Sequence, residues 1–187
     1  MFERFTEQAR AVVTEACAHA ESDGTRVVGA DHLLLALMDR EASRASFALT
    51  ALGATGHREE VRRALRDARR RAGLSQAETE ALAGLGIDVE AIVARVEEAH
   101  GVGAMSGDRG WWSRVSRRPS FGREAKTVLE KSLRMALARR DRHIGDEHLL
   151  LALTVLPGVA GEVLADHGVT YESVCRVLYG GGEAKAG

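Results

Sequence analysis

The chain has 187 residues, 45% of them hydrophobic and only 4% aromatic, with a formal charge of −1 and a pI near 6.7. That length suits one sizeable core or two small ones, and the near-neutral balance excludes a molecule whose whole surface serves to wrap nucleic acid. Apolar positions dominated by Ala and Leu, with only 2 prolines, favour helices packed through small residues, so the expected fold class is all-α.

In chain order, Met1-Phe2-Glu3-Arg4 has no apolar stretch behind a basic start. No apolar run approaches the roughly 18 residues that span a bilayer, so a cytoplasmic location with no membrane partner is expected. Phe5, Ala9, Val12, Val13, Ala16, Cys17 and Ala20 recur at three- and four-residue spacing and form the apolar stripe of a first helix, which Thr6 is placed to cap. A second helix follows Gly29, with Asp31 in its first turn, where a carboxylate suits the positive end of the helix dipole. The run Leu33-Leu34-Leu35-Ala36-Leu37 is apolar nearly all round, which predicts the buried centre of the unit. A third helix ends at Leu52-Gly53, with Gly suited to the left-handed C′ position.

From about Thr55 to Ala83 the chain is rich in arginine, with Val61, Leu65 and Ala68 marking a narrow apolar face. Leu85-Gly86-Ile87-Asp88 then echoes Leu52-Gly53 and introduces an amphipathic helix from about Val89 to Ala99, so 55–83 reads as an insertion. Gly101 to Ser120, rich in Gly, Ser and Arg, reads as a linker.

Beyond the linker the chain repeats its own beginning. A shift of 116 places Phe5 on Phe121, Ala9 on Ala125, Val12 on Val128, Gly29 on Gly145, His32 on His148 and Leu33–Leu37 on Leu149–Leu153, without a gap. In this second copy Leu156-Pro157-Gly158 stops the central helix, the third ends at His167-Gly168, and a fourth runs from Tyr171 to Tyr179. The expected organisation is a first repeat at 1–100, a linker at 101–120, a second repeat at 121–180 and a flexible tail at 181–187.

Met1-Phe2-Glu3-Arg4-Phe5-Thr6, the segment Gly29-Ala30-Asp31-His32-Leu33-Leu34-Leu35-Ala36-Leu37 and its echo Gly145-Asp146-Glu147-His148-Leu149-Leu150-Leu151-Ala152-Leu153 resemble the Clp amino-terminal (Clp R) domain. The likeness is to the form carried by ClpC-type AAA+ unfoldases. It implies a pseudo-twofold double repeat of two four-helix units, here with a helical insert in the first, that receives substrates and adaptors for an ATPase ring. No G-x-x-x-x-G-K-[ST] phosphate loop is present, so a free-standing module without ATP hydrolysis is expected. The implied partners are a Clp-family AAA+ unfoldase or its adaptors and substrates, peptides including arginine-phosphorylated ones, and cyclic-peptide antibiotics.

By the same resemblance, Asp31 and Glu147 match carboxylates that receive the guanidinium of phosphorylated arginine. Phe2 and Phe121 match aromatics that line a peptide groove between the repeats. The family's neighbouring Thr is replaced by Ala30 and by Asp146, which offer a phosphate no hydroxyl and a repulsive charge, respectively. From the residues alone, Asp31 and Glu147 equally suit the stabilisation of helix N-termini, and Phe121 equally suits a core role as the counterpart of Phe5. His32 and His148 read as buried, hydrogen-bonded structural residues, and Cys17 and Cys175 as buried free thiols.

The alternative from another class is nucleic-acid binding, through Arg58, Arg62, Arg63, Arg66, Arg69, Arg70 and Arg71 together with the linker's Arg109, Trp111, Trp112, Arg114, Arg117 and Arg118. Glu59, Glu60 and Asp67, interleaved with the first cluster, favour a solvated face of helical salt bridges instead. Trp111 and Trp112 are then candidates to meet a partner or fold over the groove. No nucleophile elbow, zincin helix or paired-carboxylate motif occurs, so no catalytic residue, metal or cofactor is expected.

Overall fold

The computed structural model describes residues 2–105 and 119–180. After a 3₁₀ turn at Phe2–Arg4, the first repeat comprises α1 (Glu7–Ser22), α2 (Ala30–Asp39), α3 (Arg44–Ala51), α4 (Arg58–Arg70), α5 (Gln76–Gly84) and α6 (Val89–His100). The second comprises α7 (Arg123–Ala138), α8 (Asp146–Val155), α9 (Val159–Asp166) and α10 (Tyr171–Tyr179). The fold is all-α, as expected.

The Thr6 hydroxyl accepts from Ala9 N–H at 3.1 Å and so caps α1. Every residue from His32 to Met38 of α2 and from Asp146 to Leu153 of α8 is buried. These two helices are apolar all round because they meet protein on every side. They pack on each other at the centre, α2 lying against α1 and α8 against α7. Cys17 and Cys175 depart from expectation: both are free but only half-buried.

Contacts between repeats come in symmetric pairs. Helix α3 packs on α8 as α9 packs on α2, and α4 packs on α9 and α2 as α10 packs on α3 and α8. The backbone follows the same symmetry. Strand β1 (Val27–Val28) pairs in parallel with β2 (Ser120–Phe121), and Phe5 bridges Ile144 in parallel. Gly122 N–H donates to the Val28 carbonyl at 2.9 Å and Thr6 N–H to the Ile144 carbonyl at 2.9 Å. Each repeat thus leads with a backbone segment held by the other. Phe121 is half-buried against the core at this seam, while Phe5 is fully buried.

The packing bears on the first repeat's extra length. Val61, Leu65 and Ala68 of α4 are buried in contact with the second repeat's α9 side, so α4 fills the fourth-helix place that α10 fills in the second repeat. The closest packing of α5 is on α6. Among the described residues no single helix is long and apolar enough to cross a membrane.

Candidate functional site

The two glycines that begin the central helices set the local geometry. Gly29 N–H donates to His32 Nδ1 at 2.9 Å, and Gly145 N–H donates to His148 Nδ1 at 3.0 Å. A ring nitrogen that accepts leaves the proton on the other, so the His148 Nε2–H points outward to Asp141 (3.0 Å), whereas His32 Nε2 lies 2.8 Å from an Arg69 guanidinium nitrogen and 3.5 Å from Asp23. Both imidazoles are buried, as expected. The carboxylates two residues beyond the glycines fold back over them: a Cβ on Gly29 would lie 2.3 Å from Asp31 Oδ1, and one on Gly145 2.0 Å from Glu147 Oε2.

From this shared start the two sites diverge. Asp31 keeps a side-chain exposure of 21% and pairs with Arg69, delivered by the last turn of α4. Arg69 also donates to Asp23 at 2.6 Å. Burial acts to raise the Asp31 pKa, but His32 and Arg69 outweigh it and hold the carboxyl well below its ordinary value. Asp23 is lowered too, by its hydrogen bond from His32 and, against burial, by Arg69. Glu147, by contrast, is 6% exposed, and Arg44 from the start of α3 donates to it at 2.8 Å. The Arg44 guanidinium also lies over the Tyr179 ring, 5.2 Å from its centroid. Next to it, Asp146 is buried and accepts from Ala45 N–H at 3.0 Å. Both candidate carboxylates therefore hold a guanidinium, each belonging to the chain itself.

Beside Asp31 opens a cavity of about 490 Å³ between the repeats. Its walls are Leu65 and Ala68 of α4, Thr127 and Val128 of α7, Leu153 of α8, and Leu156 through Gly161 of the α8–α9 turn, with Asp31, Arg69, Arg123 and Glu124 as polar lining. Cavities of a few hundred Å³ hold small ligands or a side chain or two, not a folded partner. Gly161 lets the turn close tightly, since a Cβ there would meet the Leu156 and Leu153 carbonyls at 2.8 and 2.9 Å.

Over residues 4–99 and 120–180 the sequence matches the family model of the Clp repeat (R) N-terminal domain. The chain belongs to that family. The Clp repeat fold is also that of a solved structure, the N-terminal domain of the caseinolytic protease associated chaperone ClpD from Arabidopsis thaliana, with a TM-score of 0.51 at 22% identity over 95% of this chain and 96% of that one. The double repeat is thus both the family and the architecture of this molecule.

Of the candidate residues in this Clp repeat pair, Asp31 stands at the cavity and Glu147 is sealed beneath Arg44. Phe121 lies at the seam between the repeats, outside the cavity lining. Phe2 opens the first 3₁₀ turn, its side chain falling outside the described set, and Trp111 and Trp112 lie outside the described residues. The sequence reading missed Arg69 and Arg44 as partners of the two carboxylates. The arginine cluster is largely spoken for: Arg58 and Arg62 pair with Asp39, Arg69 with Asp31 and Asp23, Arg70 with Glu97, and Arg71 with Glu90. Most of these partners lie on other elements rather than among the interleaved acids, of which Glu59 reaches Arg62 at 3.7 Å, and this pairing removes most of the cationic support for a nucleic-acid interface.

Proposed function

We propose that this Clp repeat pair is a non-catalytic peptide- and protein-binding module of Clp-dependent proteolysis. It acts as adaptor, regulator or decoy by capturing segments of clients or adaptors in the cavity between the repeats. The observation that carries this reading is the cavity itself: apolar walls of Leu65, Ala68 and Val128, with the carboxylates of Asp31 and Glu124 in its polar lining. Family membership supports a Clp-related interaction module, with an AAA+ unfoldase and its substrates as the natural partners.

For an arginine-bearing or arginine-phosphorylated client, Asp31 is the receptor. Its partner Arg69 is itself only 21% exposed and must give way to an incoming guanidinium, so the client enters by exchange, one charge-assisted pair for another. Ala30 leaves the phosphate without a hydroxyl and Arg123, in the same lining, supplies a cation instead. Glu147 takes no part, since Arg44 covers it. Cyclic-peptide ligands would engage the seam at Phe2 and Phe121.

Calorimetric titration with an arginine-phosphorylated peptide, its unmodified control and a cyclic peptide tests this. The expected result is saturable binding of the phosphorylated peptide, weakened at least about tenfold by Asp31→Ala, the scale of losing one charge-assisted partner, and unchanged by Glu147→Ala. Phe2→Ala and Phe121→Ala should weaken the cyclic peptide alone. Affinity indifferent to Asp31→Ala would remove the receptor, and silence from all three ligands would remove the cavity as a capture site.

A further inference from the structure

His57, Glu60 and His167 bring two imidazole nitrogens and a carboxylate oxygen within 4.8 Å of one another. They come from different repeats. His57 caps the start of α4 and Glu60 lies one turn further along it, whereas His167 caps the end of α9. The His57 and His167 rings lie face to face, centroids 4.8 Å apart and planes inclined by 26°, and His57 Nδ1 is 2.8 Å from Glu60 Oε2.

The packing of α4 on α9 fixes this juxtaposition, because the two helices run antiparallel with the start of one beside the end of the other. Neighbouring cations are turned elsewhere: Arg58 is bound to Asp39, and Arg62 reaches Asp39 at 3.5 Å and Glu59 at 3.7 Å. The cluster therefore offers two imidazole nitrogens and one carboxylate oxygen as donors. Two imidazoles and a carboxylate suit zinc and its transition-metal neighbours, and not calcium or magnesium, which take oxygen.

From this geometry we infer a zinc-class divalent-metal site formed by His57, Glu60 and His167 across the two repeats. Tetrahedral coordination at about 2.0–2.1 Å asks the three donor atoms to close by roughly an ångström or more, a movement that the exposed His57 and Glu60 side chains make by rotation toward the half-buried His167. Three protein ligands leave the fourth position to water. The metal pins one end of the α4–α9 pair, whose other end, Leu65 to Gly73 facing Val159 to Gly161, walls the cavity. The site stands independently of the peptide-capture reading.

The test is calorimetric titration of the full chain, free of any polyhistidine tag, with Zn²⁺, for the wild type and for His57→Ala, His167→Ala and Glu60→Gln. About one equivalent should bind saturably, and each histidine substitution should weaken binding by more than about tenfold, since loss of even an outer-shell partner costs that much. His100→Ala should change nothing. Co²⁺ absorption of the wild type should show four-coordinate bands that both histidine variants lose. Circular dichroism checks that the variants keep their helices, and Glu60→Gln, a near-isosteric change on an exposed side chain, tests the site even where a histidine variant unfolds. Absence of saturable Zn²⁺ binding to the wild type, or binding undiminished by all three substitutions, overturns the inference and leaves the cluster a stacked pair with a surface ion pair.

Discussion

Asp31 and Glu147 occupy one position in two repeats, yet Arg69 reaches the first from α4 and Arg44 the second from α3. The Asp31 carboxyl is held below its ordinary value in the folded state, so ionisation of this group stabilises the fold. That contribution is full above the unfolded aspartate value of about 4 and is lost as pH falls from there through the lowered folded value. Denaturant titrations of wild type and Asp31→Asn should accordingly show a stability gap at neutral pH that narrows in acid, and a gap independent of pH would refute the assigned cause. A second residue-scale outcome concerns Arg140, which sits at φ +61 after α7 where its repeat counterpart Gly24 sits at φ +72. Replacing it by glycine removes a left-handed strain of roughly 1–2 kcal/mol, partly offset by unfolded-state entropy, so the urea midpoint of Arg140→Gly should rise by up to about 1 kcal/mol in stability. At this scale the sequence displayed Asp31 in its helix's first turn but not its partner, because Arg69 lies 38 residues away and reaches it only through the packing of α4.

At the scale of elements, the shift of 116 and the Gly stops made the ends of α3, α8 and α9 readable, as well as Tyr171–Tyr179 of α10. Leu52-Gly53 and Leu85-Gly86 offer the same local helix stop, and only tertiary contact shows that α4, and not α6, occupies the fourth-helix place against α9. The α8–α9 turn depends on a bare Cα at Gly161, since the Leu156 and Leu153 carbonyls that a methyl would strike belong to the backbone and have no rotamer to yield. Gly161→Ala should destabilise by about 1–3 kcal/mol, the usual cost of overpacking, read as a lower urea midpoint with the slope preserved. An unchanged midpoint would mean that the turn opens freely.

For the whole molecule, the exchanged strands make each repeat incomplete alone: Phe121 pairs with Val28 of the first repeat, and Ile144 with Phe5. With α2 and α8 buried against each other as well, the two repeats should unfold in one cooperative step. Residues 119–180 expressed alone should show little helical circular dichroism, and a stably helical fragment would count against the interlock. The repeat itself was plain in the sequence, whereas the interlock was not, since two-residue strands carry no periodicity to read. The same interlock builds the cavity, whose walls come from both repeats and meet at Asp31.

The central claim, capture of a peptide in that cavity, is tested most directly by following backbone amide resonances of the full chain while an arginine-phosphorylated peptide is added. Shifts concentrated at Ala30 and Asp31, Leu65 to Gly73, Arg123 to Val128 and Leu156 to Gly161 are predicted. Shifts confined to α5 and α6, or none at saturating peptide, would contradict it.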